Sequence, residues 1–345
     1  FHHHQDLGRL MKAWQKPDTV IVHEWCWNSL AKRGDIVLPC TTPLERQDIA
    51  MTPRDPYIVS MSQLTEPFAQ SRNDYSIFAG IARELGVQDA FTNGISDIEW
   101  QRKIYNETRQ SAANLGHEMP DYETLLKKGW HKINDTSEQK IMLKEFRDDP
   151  ERHPLATPSG KIQIFSKTVS DFGYDDCPGH PVWREPYEWL GASDQTHRFH
   201  LISNQPQAKL HSQIDHGSVS RASKIKGREP LHINPEDAEI FGLKEGDIAR
   251  VYNDRGACLA AVVTDSSLRR SVLKMSTGAW YDPLDPADPM SLCKHGNPNV
   301  LTRDKGTSKL GQGPSAHTCM VSVELFEGDL PQVTAHAPPE IIRSK

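Results

Sequence analysis

The 345-residue chain carries 40 basic and 46 acidic residues for a formal net charge of −6, with 37% hydrophobic and 25% charged residues. That is a globular composition with room for roughly two domains at about 150 residues each. There is no basic stripe, so nucleic acid is excluded as the natural partner, and no run of 18 or more apolar residues supplies a membrane span. The six cysteines (Cys26, Cys40, Cys177, Cys258, Cys293, Cys319) form no Cys-x-x-Cys pair, which leaves zinc and iron–sulfur sites unsupported. The chain opens at Phe1 without a signal peptide or twin-arginine leader and is read as part of a longer protein.

The first ~85 residues read as alternating strands and helices. Thr19 to His23 is a β-branched run suited to a buried parallel strand. Trp27 to Arg33 predicts a helix closed by Gly34, and Asp35 to Pro39 a second strand stopped by proline. Asn73 or Asp74 caps a helix with an apolar face of Ile77, Phe78, Ile81 and Leu85, ending at Gly86. This β-α-β-α order predicts a parallel sheet in an α/β, Rossmann-like domain over 1–152. Residues ~95–155 are polar and helical in pattern and decorate it. Residues 153–196, rich in Pro, Gly and Trp, read as a segment between domains.

From Arg198 the pattern turns to β. Strands are expected at Phe199–Ser203, Asp247–Tyr252, Ala257–Thr264, Ser271–Ser276 and Met320–Leu325. Asn253-Asp254-Arg255-Gly256 is a hairpin turn sequence. Asn234-Pro235-Glu236-Asp237 starts a short helix that ends at Gly242. Many short strands with one small helix predict a barrel over 197–328, followed by a loosely held tail over 329–345.

Several residues carry chemistry, each with a plain alternative. The opening Phe1-His2-His3-His4-Gln5-Asp6 runs into a helical stretch, unlike an expression tag. His23-Glu24 ends the first strand, where ligands bind in open parallel sheets. A carboxylate there suits a ribose diol or a guanine edge, or is simply solvated. Arg46 past the second strand can clamp a phosphate or be a surface arginine; Asp74 can face a ligand or only cap its helix. The stretch Ser203-Asn204-Gln205-Pro206-Gln207-Ala208-Lys209-Leu210-His211-Ser212-Gln213 packs amides, hydroxyls, an imidazole and an ammonium right after a strand. Such groups pair with a polyanion or a heteroatom-rich fused ring. Gly296 to Asn299 and Thr307 to Gly313 add backbone and amide donors. No nucleophile elbow, Walker loop or G-x-G-x-x-G fingerprint is present.

Together these stretches resemble a known family. Phe1 to Leu7, Asp18 to Glu24, Gly34 to Pro39 and Leu44-Glu45-Arg46 resemble the third domain of the bis-molybdopterin-guanine-dinucleotide oxidoreductases of the dimethyl sulfoxide, trimethylamine N-oxide and biotin sulfoxide reductase family. Thr157 to Ile162 and Trp183 to Gly191 resemble the segment leading to their last domain. Ser203 to Gln213, Asn253 to Gly256, Ala279 to Pro283, Asn297 to Asn299 and Gly306 to Ser308 resemble that last domain, a double-psi β-barrel. The match runs in order over nearly the whole chain and is weakest at ~88–150.

The resemblance implies cofactor contacts from His3, His23, Glu24, Arg46 and Asp74 in the first domain. In the barrel it implies them from Ser203, Asn204, Gln205, Pro206, Lys209, His211, Ser212, Gln213, Asn299, Gln312 and Gly313. Two positions depart from the pattern: Lys209 stands where the family usually has arginine, and Gly8 where it has a polar residue. The implied cofactor is bis(molybdopterin guanine dinucleotide) with molybdenum. The metal's serine ligand is expected upstream of Phe1, so no metal ligand and no catalytic residue is assigned here. The implied activity is reduction of a sulfoxide or amine N-oxide by oxo transfer, in a bacterial enzyme of the periplasm or cytoplasm, with the electron donor protein unspecified. Another bis-molybdopterin reductase, a formate-dehydrogenase-like enzyme and a non-catalytic nucleotide-binding module are the alternatives.

Overall fold

The computed structural model describes residues 1–53, 55–133, 141–192 and 198–342. In chain order the elements are α1 (Leu7–Trp14), β1 (Ile21–Glu24), β2 (Ile36–Pro39), β3 (Asp48–Thr52), β4 (Asp55–Met61), α2 (Asp74–Glu84), α3 (Gln88–Thr92), α4 (Asp97–Asn114), α5 (Tyr122–Lys128), β5 (Trp130–Lys132), α6 (Lys144–Asp148) and α7 (Lys167–Asp171). They continue with β6 (Phe199–Ile202), α8 (Ser218–Ala222), β7 (Pro230–Ile233), α9 (Pro235–Ile240), β8 (Ile248–Asn253), β9 (Gly256–Thr264), β10 (Val272–Met275) and β11 (Cys319–Leu325). Two compact units result. One comprises 1–20, 27–33 and 162–345; the other comprises 21–26 and 34–161. Residues 1–20 and 27–33, expected with the α/β domain, therefore cluster with the barrel. The expected inter-domain segment 153–196 is divided near Lys161, and its end at 193–196, like His197 and the last three residues of the tail, lies outside the described residues.

The second unit holds the predicted parallel pair. β1 and β2 run side by side with Ile21 opposite Ile36 and Glu24 opposite Pro39. Trp27 to Arg33 is not the α-helix its pattern predicts. Only Ala31–Arg33 forms a single 3₁₀ turn, because the Asn28 side chain accepts from the Leu30 and Ala31 backbone amides and closes a local turn instead. α2 begins as predicted: Asn73 Oδ1 accepts from the Ser76 amide. It ends in a Schellman arrangement, with Gly86 at φ 72°, Gly86 N–H on Arg83 and Val87 N–H on Ala82. Its buried face is Ile77 and Ala82, whereas Phe78, Ile81 and Leu85 of the expected apolar face are 48%, 37% and 72% exposed. A three-stranded antiparallel sheet, β3-β4-β5, accompanies the parallel pair. The polar stretch after 95 supplies its cover: Tyr105 and Ala112 of α4, Met119, and Tyr122 and Leu125 of α5 pack on Ile58 of β4.

In the other unit six strands close a barrel in the order β10-β6-β11-β8-β9-β7. Two neighbouring pairs, β6–β10 and β7–β9, are parallel and the rest antiparallel. Closure leaves no edge to protect. It also buries Ala257 to Val262 of β9 without interruption, which explains why that strand is apolar rather than alternating. β7, Pro230–Ile233, has no counterpart among the predicted strands: Leu231 and Ile233 do alternate inward, but over only four residues opened by a proline, too short a run to stand out. The core joins Phe199, Leu231, Ile233, Val251, Leu273, Met275 and Val321 with Phe1, Leu7 and Met11 of the opening motif. α9 caps with Asn234 and ends in a second Schellman arrangement around Gly242, with Leu243 buried. The tail is not loose up to His336, as its composition predicted. Ala335 is buried, Lys32 donates to the Thr334 and Ala335 carbonyls, Arg228 donates to Pro331, and Thr334 bonds to Asp282. Among the described residues no helix is long and apolar enough to cross a membrane.

Candidate functional site

In the barrel unit β6 delivers the loop 203–213. Ser203 is buried, and the Asn204 carbonyl accepts from the Thr277 amide at 2.9 Å. Asn204 Oδ1 accepts from Ser276 Oγ at 3.4 Å, while its amide nitrogen donates to the Gln205 carbonyl. Pro206 is half-buried, and Gln205, His211 and Gln213 are exposed. The loop closes on itself through Gln213 N–H on Leu210, and both His211 (φ 54°) and Ile214 (φ 56°) sit in the left-handed region. For β-branched Ile214 that conformation is costly and persists only where the surroundings over-determine it. Gly278, at φ 94°, shows one such constraint: a Cβ there would collide with the His211 carbonyl oxygen. Trp280 shows another, donating its indole N–H to the Ser212 carbonyl at 2.9 Å.

Among the other predicted residues, His3 packs edge-to-face on His211, ring centroids 4.5 Å apart. Partial burial, then the His211 ring, lowers the His3 pKa. Asn299 is buried and donates to the His2 carbonyl while accepting from Thr302. Gln312 lies on an exposed turn and spends its amide on the Ser308 and Lys309 carbonyls, beside Gly313, whose carbonyl accepts from Thr307. No hydrogen bond between described residues joins that turn to the 203–213 loop.

Lys209 does not face outward as a point charge for a ligand. Its side chain is 2% exposed and its ammonium contacts Asp215 Oδ1 at 2.7 Å and the Glu229 carboxylate. Lys224 contacts the same two carboxylates. Two ammoniums and two carboxylates thus neutralise each other out of water, the condition under which buried charges are tolerated. Burial opposes the charged state of Lys209, but Glu229 and Asp215 override it and raise its pKa. Burial likewise opposes the Asp215 carboxylate; the His336 hydrogen bond and the neighbouring cationic groups hold it well below the ordinary range. Asp215 also accepts from Ser220 and from the Trp280 backbone amide.

Asp215, His295 and His336 place ligand atoms within 4.8 Å of one another, a spacing a metal could use. The two ammoniums already fill the electrostatic place of a cation, and His295 Nδ1 is engaged by the Trp280 carbonyl at 2.9 Å. Burial, then Lys224, lowers the His295 pKa to about 3, so this ring is neutral. Sequence reasoning passed over Asp215, Lys224, Glu229 and His336. Their spacing of up to 121 residues hides the cluster; Asp215 two positions after the amide-rich loop was the one available signal.

In the α/β unit, β1 and α2 bring His23 and Asp74 together, Nδ1 to Oδ1 at 3.0 Å, with the His23 ring against Phe78. Arg46 donates to the Thr41 carbonyl at 3.0 Å and lies 3.4 Å from Asp48. The Cys40 thiol lies just past β2, one residue before Thr41, whose carbonyl takes Arg46. Burial raises its pKa first, then Asp74 and Glu24, with Arg46 acting in the opposite sense. A nearby cavity of about 700 Å³, lined by Pro39, Arg72, Ile77, Ile81 and Arg83, contains none of His23, Glu24, Arg46 or Asp74.

Two family models match the chain: molybdopterin oxidoreductase over residues 1–84, and molydopterin dinucleotide binding domain over 199–320. Biotin sulfoxide reductase of Cereibacter sphaeroides is 44% identical over 330 residues, covering 95% of this chain and 44% of that protein. Trimethylamine-N-oxide reductase of Haemophilus influenzae is 40% identical over 351 residues, covering 99% and 42%. Dimethyl sulfoxide/trimethylamine N-oxide reductase of Cereibacter sphaeroides is 38% identical over 343 residues, covering 99% and 42%. The chain thus spans somewhat less than half the length of these relatives. Among solved structures, acetylene hydratase from Pelobacter acetylenicus shares the fold, with a TM-score of 0.70 at 17% identity over 94% of this chain and 43% of that one. The opening motif, the parallel pair and the barrel loop are all within the matched stretches, and the chain belongs to the molybdopterin oxidoreductases.

Proposed function

We propose that the 203–213 loop holds part of a bis(molybdopterin guanine dinucleotide) cofactor in an enzyme that reduces a sulfoxide or an amine N-oxide. The observation that carries this reading is the loop itself: a strained, cross-braced segment whose exposed groups are amides and an imidazole, within the stretch matched by the dinucleotide-binding model. Strain of this kind is retained where a ligand needs the geometry. The residues fit the group chemically. Gln205, His211, Ser212 and Gln213 offer donors and acceptors for a diphosphate or a pterin edge, and Gly278 is the one residue type that lets the backbones approach so closely. Asn204 and Pro206 fix the loop's start, Ser203 anchors it, and Asn299 holds the His2–His3 segment so that His3 stands beside His211. Gln312 and Gly313 present a second polar turn.

In the α/β unit, taken by itself, Glu24 and Asp74 are suited to the N–H groups of a guanine edge, and Arg46 and His23 to phosphate or ribose oxygens. The parallel β1–β2 pair followed by α2 supports a Rossmann-like reading of that unit. The two parallel pairs in an otherwise antiparallel closed barrel support a double-psi reading of the other. When bound, the molybdenum–pterin group supplies the two-electron chemistry of oxygen removal. The role of these residues is to bind and orient it.

The test is calorimetric titration of the 345-residue chain with guanosine diphosphate, the nucleotide portion of the cofactor, against adenosine diphosphate. Binding with at least a tenfold preference for the guanine nucleotide is expected. The double variant H211A/Q213A should weaken it at least tenfold with the thermal midpoint unchanged. Equal binding of both nucleotides, or full binding by the double variant, would overturn the assignment.

A further inference from the structure

We infer that His336 and Asp215 are positioning residues for the 203–213 loop, with the C-terminal tail acting as a latch that sets the loop's conformation. This rests on the reading of that loop as a cofactor-binding element.

One carboxylate gathers the connections. Asp215 Oδ1 takes Lys209 from within the loop at 2.7 Å, Lys224 at 3.0 Å and Ser220 at 3.2 Å. Oδ2 takes the Trp280 amide at 3.3 Å and His336 Nε2 at 2.9 Å. Trp280 in turn donates to Ser212, at the turn of the loop. The His336 ring stands edge-on to Trp280, centroids 5.2 Å apart, and edge-on to His295 at 5.0 Å. The tail therefore touches both the carboxylate that anchors Lys209 and the indole that anchors Ser212.

The remaining tail contacts bring His336 to that position. Thr334 is fixed by two bonds to Asp282, and its carbonyl and that of Ala335 take Lys32. A left-handed conformation is costly for β-branched Ile214, so groups outside the loop hold the geometry, Trp280 on Ser212 and Asp215 on Lys209 among them. Withdrawing His336 removes one of the two donors on Oδ2 and one wall of the Trp280 site. The carboxylate and indole are then free to shift together, and the strained turn with them.

Asp215 itself is too deeply buried to vary without risking the fold, so the test uses His336. Leucine removes the donor at similar bulk; glutamine keeps an N–H able to reach Oδ2. In the full chain, H336L should speed hydrogen exchange at the amides of 204–214 at least tenfold while those of β8, β9 and β11 stay unchanged. It should also raise the Kd for guanosine diphosphate at least fivefold. H336Q should restore both. A uniform rise in exchange across the barrel would mean ordinary destabilisation and would overturn the inference, as would wild-type exchange at 204–214 in H336L. Faster loop exchange with unchanged nucleotide binding would overturn it too. If the wild-type chain bound no guanosine diphosphate, the cofactor reading of the loop would fall, and exchange in H336L against H336Q would still decide the latch.

Discussion

Lys209 carries the sharpest consequence at the level of single residues. Its ammonium balances one of two buried carboxylates. Lys209→Met would leave Asp215 and Glu229 with Lys224 as their remaining ammonium contact, an imbalance of charge in a buried site. A loss of about 3–5 kcal/mol in urea unfolding is expected. Lys209→Arg keeps the charge and should cost less than half as much. Equal losses in the two variants would show that shape, not charge, governs the site. His295 predicts a pH dependence. Its folded pKa is lowered from the ordinary 6.5 to about 3, chiefly by burial. The unfolded chain therefore takes up a proton that the folded chain refuses as pH falls below 6.5. Stability should drop from there towards pH 3 with a slope approaching about 1.4 kcal/mol per pH unit from this ring. Asp215 adds to the loss only below about pH 4, where the unfolded carboxyl protonates and the folded one does not. Urea midpoints at pH 7.5, 6 and 5 should fall in the native chain and fall less steeply in H295Q, which keeps a donor for the Trp280 carbonyl; His2, also lowered to about 3 by burial, sustains the rest of the slope.

At the level of elements, the local signals and the structure agree where short-range chemistry decides. Asn73 and Asn234 as caps, Gly86 and Gly242 as helix stops, and Asn253–Gly256 as a hairpin turn all depend on a few neighbouring residues. Disagreement begins where tertiary contacts decide. β7 lies between β9 and β10, and its alternation covers only four residues. Trp27 to Arg33 has the right residues for a helix but loses to the Asn28 side chain. The amide-rich loop was legible as a polar segment after a strand; the strain in it was not, because Gly278 lies 65 residues further on. Gly278→Ala should therefore act on the loop rather than on β10. The added methyl meets the His211 carbonyl, in a backbone conformation alanine also disfavours. The loop must move, and guanosine diphosphate binding should weaken at least tenfold, measured by calorimetry. Gly242→Ala, at a stop where nothing lies within 4 Å of a new methyl, should cost only about 1 kcal/mol and leave binding intact. Similar binding losses in both variants would argue against the specific role of Gly278.

Among the described residues, groups far apart in sequence pair with one another, and the tail takes part through Pro331, Thr334, Ala335 and His336. Composition alone marked 329–345 as loose, since Pro-rich ends lack helix or strand periodicity. Order here comes instead from side chains elsewhere that need its backbone. Lys32, Arg228 and Asp282 are half-buried or buried, and each finds a partner between Pro331 and Ala335. Removing residues 329–345 would strip those partners together with His336 on Asp215. Each buried polar group left unpaired costs about 1–3 kcal/mol, more when charged. Lys32 would lose both carbonyl acceptors, Arg228 one of its two, and Asp282 and Asp215 one partner residue each, losses that a fold of ordinary margin registers. The truncated chain should show a fall of at least 10 °C in the thermal midpoint of the barrel unit, followed through the near-ultraviolet signal of buried Trp280 and Tyr281. The α/β unit provides the internal control, because Lys32, Arg228, Asp282 and Asp215 all belong to the barrel's unit. Proteolysis should therefore release fragments from 198–328 first and leave the α4–α5 region protected. If truncation instead left the barrel's midpoint within 2 °C of the full chain, water would be replacing the tail's carbonyls without loss, and the tail could not be holding the loop through His336.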